Sequence, residues 1–565
     1  HNTNDDISLT LKEIRRILKK NGIILSFDFF GNNTPDIKFG TKLKQNTYHK
    51  FKKGYFKILG KTSFFNFKIL KRLFNEFKIL DINRVIVKNG KNVIQKEFFN
   101  VVAKKKMKIA VLGNGSIGLT TAYSLSKSGH KVVLFGDKEK KGSASKAAGA
   151  MLNVMAEIEE NFLDFEPTKK RFNLAYASQD RWKNFIEKNF SIKEIQSYKK
   201  KFTLVFKNNL TTPFESKQFE YLKKIKSAFP EDIIINQKTN KYNLDTTKIN
   251  ELICLPKEKY LDSRILLSKL EKLTERQDVI KKFDVTDYFL KVKKDKIEIT
   301  YNKKKEIFDY VVVALGSYSK NFNKLNKDII GKIPKIFFGT GTALRIKKKN
   351  FTPEFKKSNF VLRTMNRGNA CGFHLIPLNK DEYYFGASSC VTHIEETKSR
   401  IGTVAVLTNG LLNEFDNSLK DNHITLCHGH RPFSADTFPI LGPLKKNKKI
   451  IYATANKRDG LTSSLEIAEL INNFVGGDKD AFEEYKIFEP NRSLISYFDP
   501  STAINKAAEA SVAGFIMHEG EKYLNDWNKL VKKEKIRIEK VYKKLNLKNF
   551  GIHPELINLY NHKRI

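Results

Sequence analysis

Three glycines, Gly113, Gly115 and Gly118, stand in the spacing G-x-G-x-x-G. That spacing lets backbone close on a pyrophosphate: the first glycine permits a tight turn, the second lets the chain approach the phosphates, and the third lets a helix pack on a strand. Ser116 and Ile117 open that helix, whose free N–H groups favour an anion. The elements around the motif fall where it needs them. Ile109 to Leu112 reads as a short apolar strand, an amphipathic helix carrying Ile117, Ala122 and Leu125 follows, Gly129 stops it, and Val132 to Phe135 is a second strand. This is a βαβ unit, and the site it predicts is one for a dinucleotide.

One position departs from the pattern. The acidic side chain that usually takes the adenosine ribose should end the second strand, where this chain has Gly136, with Asp137 one place later. Either Asp137 reaches the ribose from a shifted loop or backbone does the work. The run Gly142-Ser-Ala-Ser145-Lys-Ala-Ala148-Gly149-Ala150-Met-Leu152 then leaves room for a bulky planar group beside backbone. Further on, Lys282 to Asp287, Ile297 to Thr300 and Asp309 to Gly316 read as a β-meander returning to a buried strand that ends in glycine.

From Met107 to about Arg492 the chain resembles the D-amino acid oxidase and glycine oxidase family of FAD-dependent oxidoreductases. The resemblance rests on the glycine loop, Ser145 to Leu152, the strand ending in Gly316, His374-Leu-Ile-Pro377 with Tyr384-Phe-Gly386, Gly429-His-Arg431-Pro432 with Asp436 to Pro443, and Asn456-Lys-Arg458-Asp-Gly460-Leu461. It implies FAD contacts from Gly113, Gly115, Ser116, Ile117, Gly118, Asp137, Ser145, Ala148, Gly149 and Ala150, and from Val285, Gly316, Arg458, Asp459, Gly460 and Leu461. It implies a small-molecule amine or amino acid as substrate, oxidised at its C–N bond by hydride transfer to flavin, a reaction that needs orientation more than a strong base. Arg431 stands at the family position that clamps the substrate carboxylate, a planar bidentate task that suits guanidinium. Arg458 lies in the loop that in the family runs beside the flavin, where it can support the substrate carboxylate or the reduced ring's negative charge. His374 replaces a substrate-binding tyrosine and is either a hydrogen-bond donor or a satisfied core histidine.

Residues 1 to 104 resemble the C-terminal half of class I S-adenosylmethionine-dependent methyltransferases, through Leu11-Lys-Glu-Ile-Arg-Arg-Ile-Leu-Lys-Lys-Asn-Gly-Ile23 and Ser63 to Leu80. Residues 8 to 19 are expected as a helix stopped by Asn21-Gly22, Ile23 to Phe29 as a buried strand, Asn66 to Phe77 as a helix, and Ile79 to Val87 and Val93 to Ala103 as strands. The methyl-donor loop of that family has no counterpart in this sequence, so S-adenosylmethionine is a cofactor only if the missing half is present.

The expected fold is α/β: a Rossmann-type FAD-binding domain with an interleaved α+β substrate domain, preceded by the partial methyltransferase domain and followed by a helical tail. The FAD-binding parts are placed at about 107–155, 280–320 and 425–480, within an oxidoreductase of 107–495, and the substrate-domain parts at about 156–279 and 330–424. The tail, 500–565, carries Trp527, Leu530, Val531, Ile538, Val541, Tyr542 and Leu545 on one side, and is either a packed cap or a contact surface for a polyanion or partner.

The chain has 565 residues, with 104 Lys plus Arg against 61 Asp plus Glu, a net charge of +43. Lysine is spread over the whole length, which fits a compositional bias as well as a polyanion-binding surface. Four cysteines lie far apart, which excludes a disulfide framework and predicts no metal site and a reducing cytoplasm. No apolar run is long enough for a membrane span. Two other classes stay open. The order of parts also resembles the bifunctional family that modifies the wobble uridine of tRNA, whose flavin half removes a carboxymethyl group and whose other half methylates the product, with tRNA then the partner. A flavin-fold binding module without turnover is the third.

Overall fold

The computed structural model describes residues 3–18, 22–44, 46–245, 247–285, 287–347, 358–368, 371–379, 382–519 and 521–561. The chain folds as two compact units. One comprises His1–Lys108 with Leu125–Lys131 and Asn473–Lys479, and the other comprises the remainder.

In the first unit the opening helix spans Asn4–Ile17, four residues earlier than the apolar spacing indicates. The reason is a capping box in which Thr3 and Asp6 satisfy each other's backbone. Lys19 and Asn21, the expected end and stop, lie outside the described residues. The second helix is shorter than expected, Phe67–Leu73. Asn66 is its N-cap, accepting from the Ile69 N–H, and the chain is already extended again at Phe77. The strands Ile23–Phe30, Phe77–Lys88 and Ile94–Lys105 form an antiparallel sheet with the last in the middle. Ile23–Phe30 is therefore an edge strand, and the expectation that it is buried holds for one face and fails for the other. Ile24 packs into the unit's core with Leu11, Leu70, Phe74 and Phe99, whereas Ile23, Leu25 and Phe27 are 54%, 58% and 63% exposed.

The second unit holds the βαβ element. Its six-stranded sheet runs Ile280–Phe283, Lys131–Gly136, Lys108–Leu112, Tyr310–Val313, Ile450–Thr454, Ile440–Pro443. The first five strands are parallel and the last is antiparallel. Strands buried on both faces need continuous apolar runs, and Ile109 to Leu112, Val132 to Phe135 and Val311 to Val313 provide them. The antiparallel meander is Phe289–Lys293, Lys296–Tyr301, Lys304–Phe308, not the stretch expected from Lys282, since Lys282 and Phe283 end the parallel strand Ile280–Phe283; it packs Ile297, Ile299 and Phe308 against Phe135.

A second, eight-stranded sheet is built around the twelve-residue strand Ile336–Lys347. That strand pairs along its length with Ile424–Ser434 and on its other side with Glu382–Gly386, which continues into His374–Asn379 and Phe360–Arg363. Two helices beyond it, Pro500–Glu519 and Trp527–Lys544, bury Ala507, Ala508, Ile538 and Tyr542 against Phe337 and Phe433 of the sheet. Among the described residues no helix is long and apolar enough to cross a membrane.

Candidate active site

The C-terminal ends of the parallel strands and one face of the large sheet enclose a cavity of about 710 Å³, the crevice in which ligands of open α/β sheets bind. At its nucleotide end the glycines are required sterically. Gly113 has φ +109°, and a Cβ there would lie 2.2 Å from the Ala314 carbonyl oxygen. A Cβ on Gly118 would lie 1.8 Å from the Gly113 carbonyl oxygen, so Gly118 sits under the loop and does not line the cavity. Gly115 lines it, with only the Ser145 hydroxyl nearby at 3.1 Å from a Cβ. Ser145 Oγ accepts the Ser116 N–H at 3.0 Å, tying the small-residue loop to the first turn of the helix Ser116–Lys127. Ile117 lines the same wall.

The unusual Gly136 has a local cause. A Cβ there would lie 2.3 Å from Asn114 Cγ, so the Asn114 side chain fills the space that an acidic side chain would cross. Asn114 Nδ2 donates to the Asp137 carbonyl at 2.7 Å. The Asp137 carboxylate lies at the cavity and caps its own loop, accepting from the Glu139 N–H at 3.0 Å and the Lys141 N–H at 2.8 Å.

Ala148, Gly149 and Ala150 also face the cavity. At Gly149 the room left by the absent side chain is taken by Ile376 and Tyr384, 2.5 and 2.9 Å from a Cβ, so smallness there serves the approach of the large sheet. Val285 and Gly316 line the nucleotide side, Gly316 with φ +58°. Arg458, Asp459, Gly460 and Leu461 line the cavity too, and this stretch adjoins the glycine loop, where Ser116 Oγ donates to the Gly460 carbonyl at 3.5 Å.

The large sheet contributes the remaining groups. Arg431 is on the strand Ile424–Ser434, opposite Gly339. Its Nη1 donates to the Ser388 carbonyl at 2.9 Å, and among the described residues it forms no ion pair. His374 is 4% exposed. Its Nδ1 lies 3.0 Å from the Gly372 carbonyl, and its ring is stacked on Tyr384 at 5.9 Å. Burial and the Arg363 charge push its pKa down to about 3, so the ring is neutral at physiological pH, and with Nδ1–H donating to the carbonyl, Nε2 is left as an acceptor.

Arg458, by contrast, is already engaged. Its Nη2 pairs with Glu555 at 3.0 Å and its Nη1 lies 3.8 Å from Glu157. Glu157 lines the cavity and pairs with Arg363 at 2.8 Å. Burial raises the Glu157 pKa, but Arg363 and Arg458 outweigh it and bring it to about 2. Sequence reading missed Glu157, Arg363, Lys457 and Glu555 as part of this site. Lys457 stands inside the Asn456 to Leu461 stretch without being singled out there, and no local motif marks the other three, since their partners come from distant strands and from the tail.

The cavity fits a dinucleotide on geometry. A glycine loop that side chains would fill opens onto a volume walled by polar loops at one end and by Tyr384, His374 and Arg431 at the other. A family model described as DAO, FAD dependent oxidoreductase, matches residues 108–473. The chain belongs to that family. It is a flavoenzyme whose cofactor is FAD. No curated protein matches the chain. Among solved structures it is similar to glycine oxidase from Geobacillus kaustophilus, with 16% identity, a TM-score of 0.57 and coverage of 69% of this chain and 100% of that one. It is similar to iminodiacetate oxidase from Chelativorans sp. BNC1, with 16% identity, a TM-score of 0.54 and coverage of 66% and 95%. L-proline dehydrogenase from P. horikoshii gives 16% identity, a TM-score of 0.54 and coverage of 66% and 93%.

Proposed function

We propose that this FAD-dependent oxidoreductase oxidises the C–N bond of a small amine or amino acid that carries a carboxylate. The observation that carries the reading is Arg431, a cation lining the cavity whose guanidinium forms no ion pair among the described residues. FAD, when bound, supplies a two-electron acceptor for the hydride leaving the substrate carbon. The chain's residues do the rest. Arg431 spends one N–H on Ser388, which fixes the plane of its guanidinium, and keeps others for a carboxylate. Tyr384 is oriented by donating its O–H to the Ala147 carbonyl at 3.1 Å, and its ring and that of His374 wall the substrate end against water. With its pKa pushed down to about 3, His374 stays neutral at neutral pH, keeps its one ring proton on Nδ1 and offers Nε2 as a hydrogen-bond acceptor. The names of the similar oxidases and dehydrogenase agree with an amine substrate. An anaerobic screen of amines and amino acids for flavin bleaching tests the reading: none bleaching would overturn it.

In the same reading residues 107–495 are the oxidoreductase, 1–104 a partial methyltransferase-like domain and 500–565 a helical tail. The exposed apolar outer side of Ile23–Phe30 supports a partial domain, because a complete one would cover it. Four free cysteines agree with a reducing cytoplasm. The order of the two parts favours a second reading, a tRNA wobble-uridine substrate, to which the similar structures named above lend no support. Binding of total tRNA at two salt concentrations separates the two, since phosphate contacts predict a steep loss with salt.

A further inference from the structure

The family match ends at residue 473, yet the chain returns to the cavity wall about eighty residues later. The return is built by close packing. The Gly551 N–H donates to Ser496 Oγ at 2.8 Å and its carbonyl accepts the Tyr497 N–H at 3.0 Å. A Cβ on Gly551 would lie 2.1 Å from the Tyr497 carbonyl oxygen, so only glycine allows this approach. Ile552 and Leu556 are buried in the cluster with Phe337 and Phe433, and the Ile552 N–H donates to the Tyr542 hydroxyl at 2.6 Å. Between these anchors lies the single turn Pro554–Leu556, capped by His553, whose Nδ1 accepts the Glu555 N–H at 3.2 Å. The turn presents the Glu555 side chain, 3% exposed, to two cations at once. Its Oε1 lies 2.6 Å from Lys457 Nζ and 3.0 Å from Arg458 Nη2. Lys457 and Arg458 both line the cavity.

We propose that Glu555 is a positioning residue of the oxidoreductase site: it pins Lys457 and Arg458 to the cavity wall and cancels one of their two charges, leaving Arg431 as the cation open to a substrate anion. The inference rests on the FAD site of the preceding reading. A carboxylate this deeply buried is tolerable only with paired cations. Burial works to raise its pKa, and Arg458 and Lys457 more than offset that and hold it ionised below the usual range. Glu157 and Glu159 face the same cations, with Glu159 3.8 Å from Lys457, but neither touches both. Among the described residues only Glu555 bridges these adjacent residues of the loop, and so it fixes where the loop's charge lies.

The test is the two-electron midpoint potential of the bound flavin in the full-length holoenzyme, for wild type, Glu555→Gln, Glu555→Asp, Lys457→Met and the pair Lys457→Met with Glu555→Gln. Reduced flavin carries added negative charge, so one uncompensated positive charge within roughly 10 Å at an effective dielectric near 20 favours it by on the order of tenfold, or about 30 mV for two electrons. Glu555→Gln is expected to raise the potential by that amount and Lys457→Met to lower it, whereas the pair returns it to the wild-type value because the net charge is restored. Glu555→Asp, which keeps the charge, should stay near wild type. Substrate KM should change less than kcat. Should Glu555→Gln fail to fold, Lys457→Met carries the test by its opposite sign. Unchanged potentials in Glu555→Gln or Lys457→Met at full FAD content would overturn the proposal. A wild type that binds no FAD would instead overturn the reading on which it rests.

Discussion

Gly341 stands where any side chain would strike Arg431, since a Cβ there would lie 2.4 Å from Arg431 Nη1 and 2.9 Å from its Cζ. The guanidinium is therefore shaped from two sides, by the Ser388 carbonyl that accepts from it and by the methyl group that Gly341 lacks. Gly341→Ala should displace the guanidinium without touching the nucleotide loop. Its expected signature is a raised KM for the substrate, by about tenfold to a hundredfold, with bound FAD unchanged. Flavin reduction rates against substrate concentration, with FAD measured in each sample, provide the check.

Removing the guanidinium altogether should cost more. Arg431→Ala leaves a substrate carboxylate unpaired in a half-buried pocket, and Arg431→Lys loses the bidentate geometry. The specificity constant should fall by about 30-fold to several thousandfold, corresponding to roughly 2 to 5 kcal/mol. Loss of FAD together with activity would make Arg431 a structural residue instead.

Two glycines of the loop, Gly113 and Gly115, should fail in different ways. Gly113→Ala places a side chain at φ +109° against the Ala314 carbonyl and should destabilise the fold by about 3 kcal/mol, read by chemical denaturation. The Cβ of Gly115→Val meets only the Ser145 side chain, at 3.1 Å from its hydroxyl, at a position that lines the cavity. The substitution should leave a folded protein that is colourless after purification. A Gly115→Val protein that stays fully yellow would contradict the placement of the dinucleotide.

Much of this was legible before the fold was known, and the reason is locality. The glycine spacing, the strand before it and the helix after it obey constraints a few residues long, so the βαβ unit and the family could be read from short stretches. Arg431 was legible through its neighbours Gly429 and Pro432. Glu157 and Arg363 were not, because they meet across 206 positions of sequence, and Glu555 was not, because its partner Arg458 is 97 positions away. The start of the first helix was missed for a local reason, the Thr3 and Asp6 capping box, which lies ahead of the apolar periodicity. The exposed outer side of Ile23–Phe30 was misread because an apolar run does not distinguish a covered strand from an edge strand.

The exchange of Gly136 with Asn114 makes a prediction about the ribose end. Gly136→Glu alone should weaken FAD binding, because the new side chain meets Asn114 Cγ 2.3 Å from its Cβ. Asn114→Gly combined with Gly136→Glu should recover it. The dissociation constant for FAD, followed by fluorescence quenching, distinguishes the two. Equal affinity in the single and double variants would mean that Asn114 moves aside freely.

Acid should destabilise the protein through two buried histidines. His374 has its pKa pushed down to about 3 by burial and Arg363, and His553 to about 4 by burial and Lys457, against an ordinary value near 6.5. Below pH 6.5 the unfolded chain takes up protons that the folded one refuses, so stability is lost as pH falls from about 6.5 to about 4 for His553 and to about 3 for His374. Each histidine contributes a slope of up to about 1.4 kcal/mol per pH unit. Urea midpoints at pH 7 and pH 5 in excess FAD should differ clearly in wild type and less in His374→Asn.

The pairing of Glu555 with Lys457 and Arg458 also orders events during synthesis. A ribosome releases the glycine loop early and the two basic residues much later, and for as long as residues 551–556 are still inside the exit tunnel those residues have, among the described residues, the more distant Glu157 and Glu159 to balance them. The pocket that receives the cofactor is thus finished from its far end, and a nascent chain can gather most of its sheet before the charge at the wall is settled.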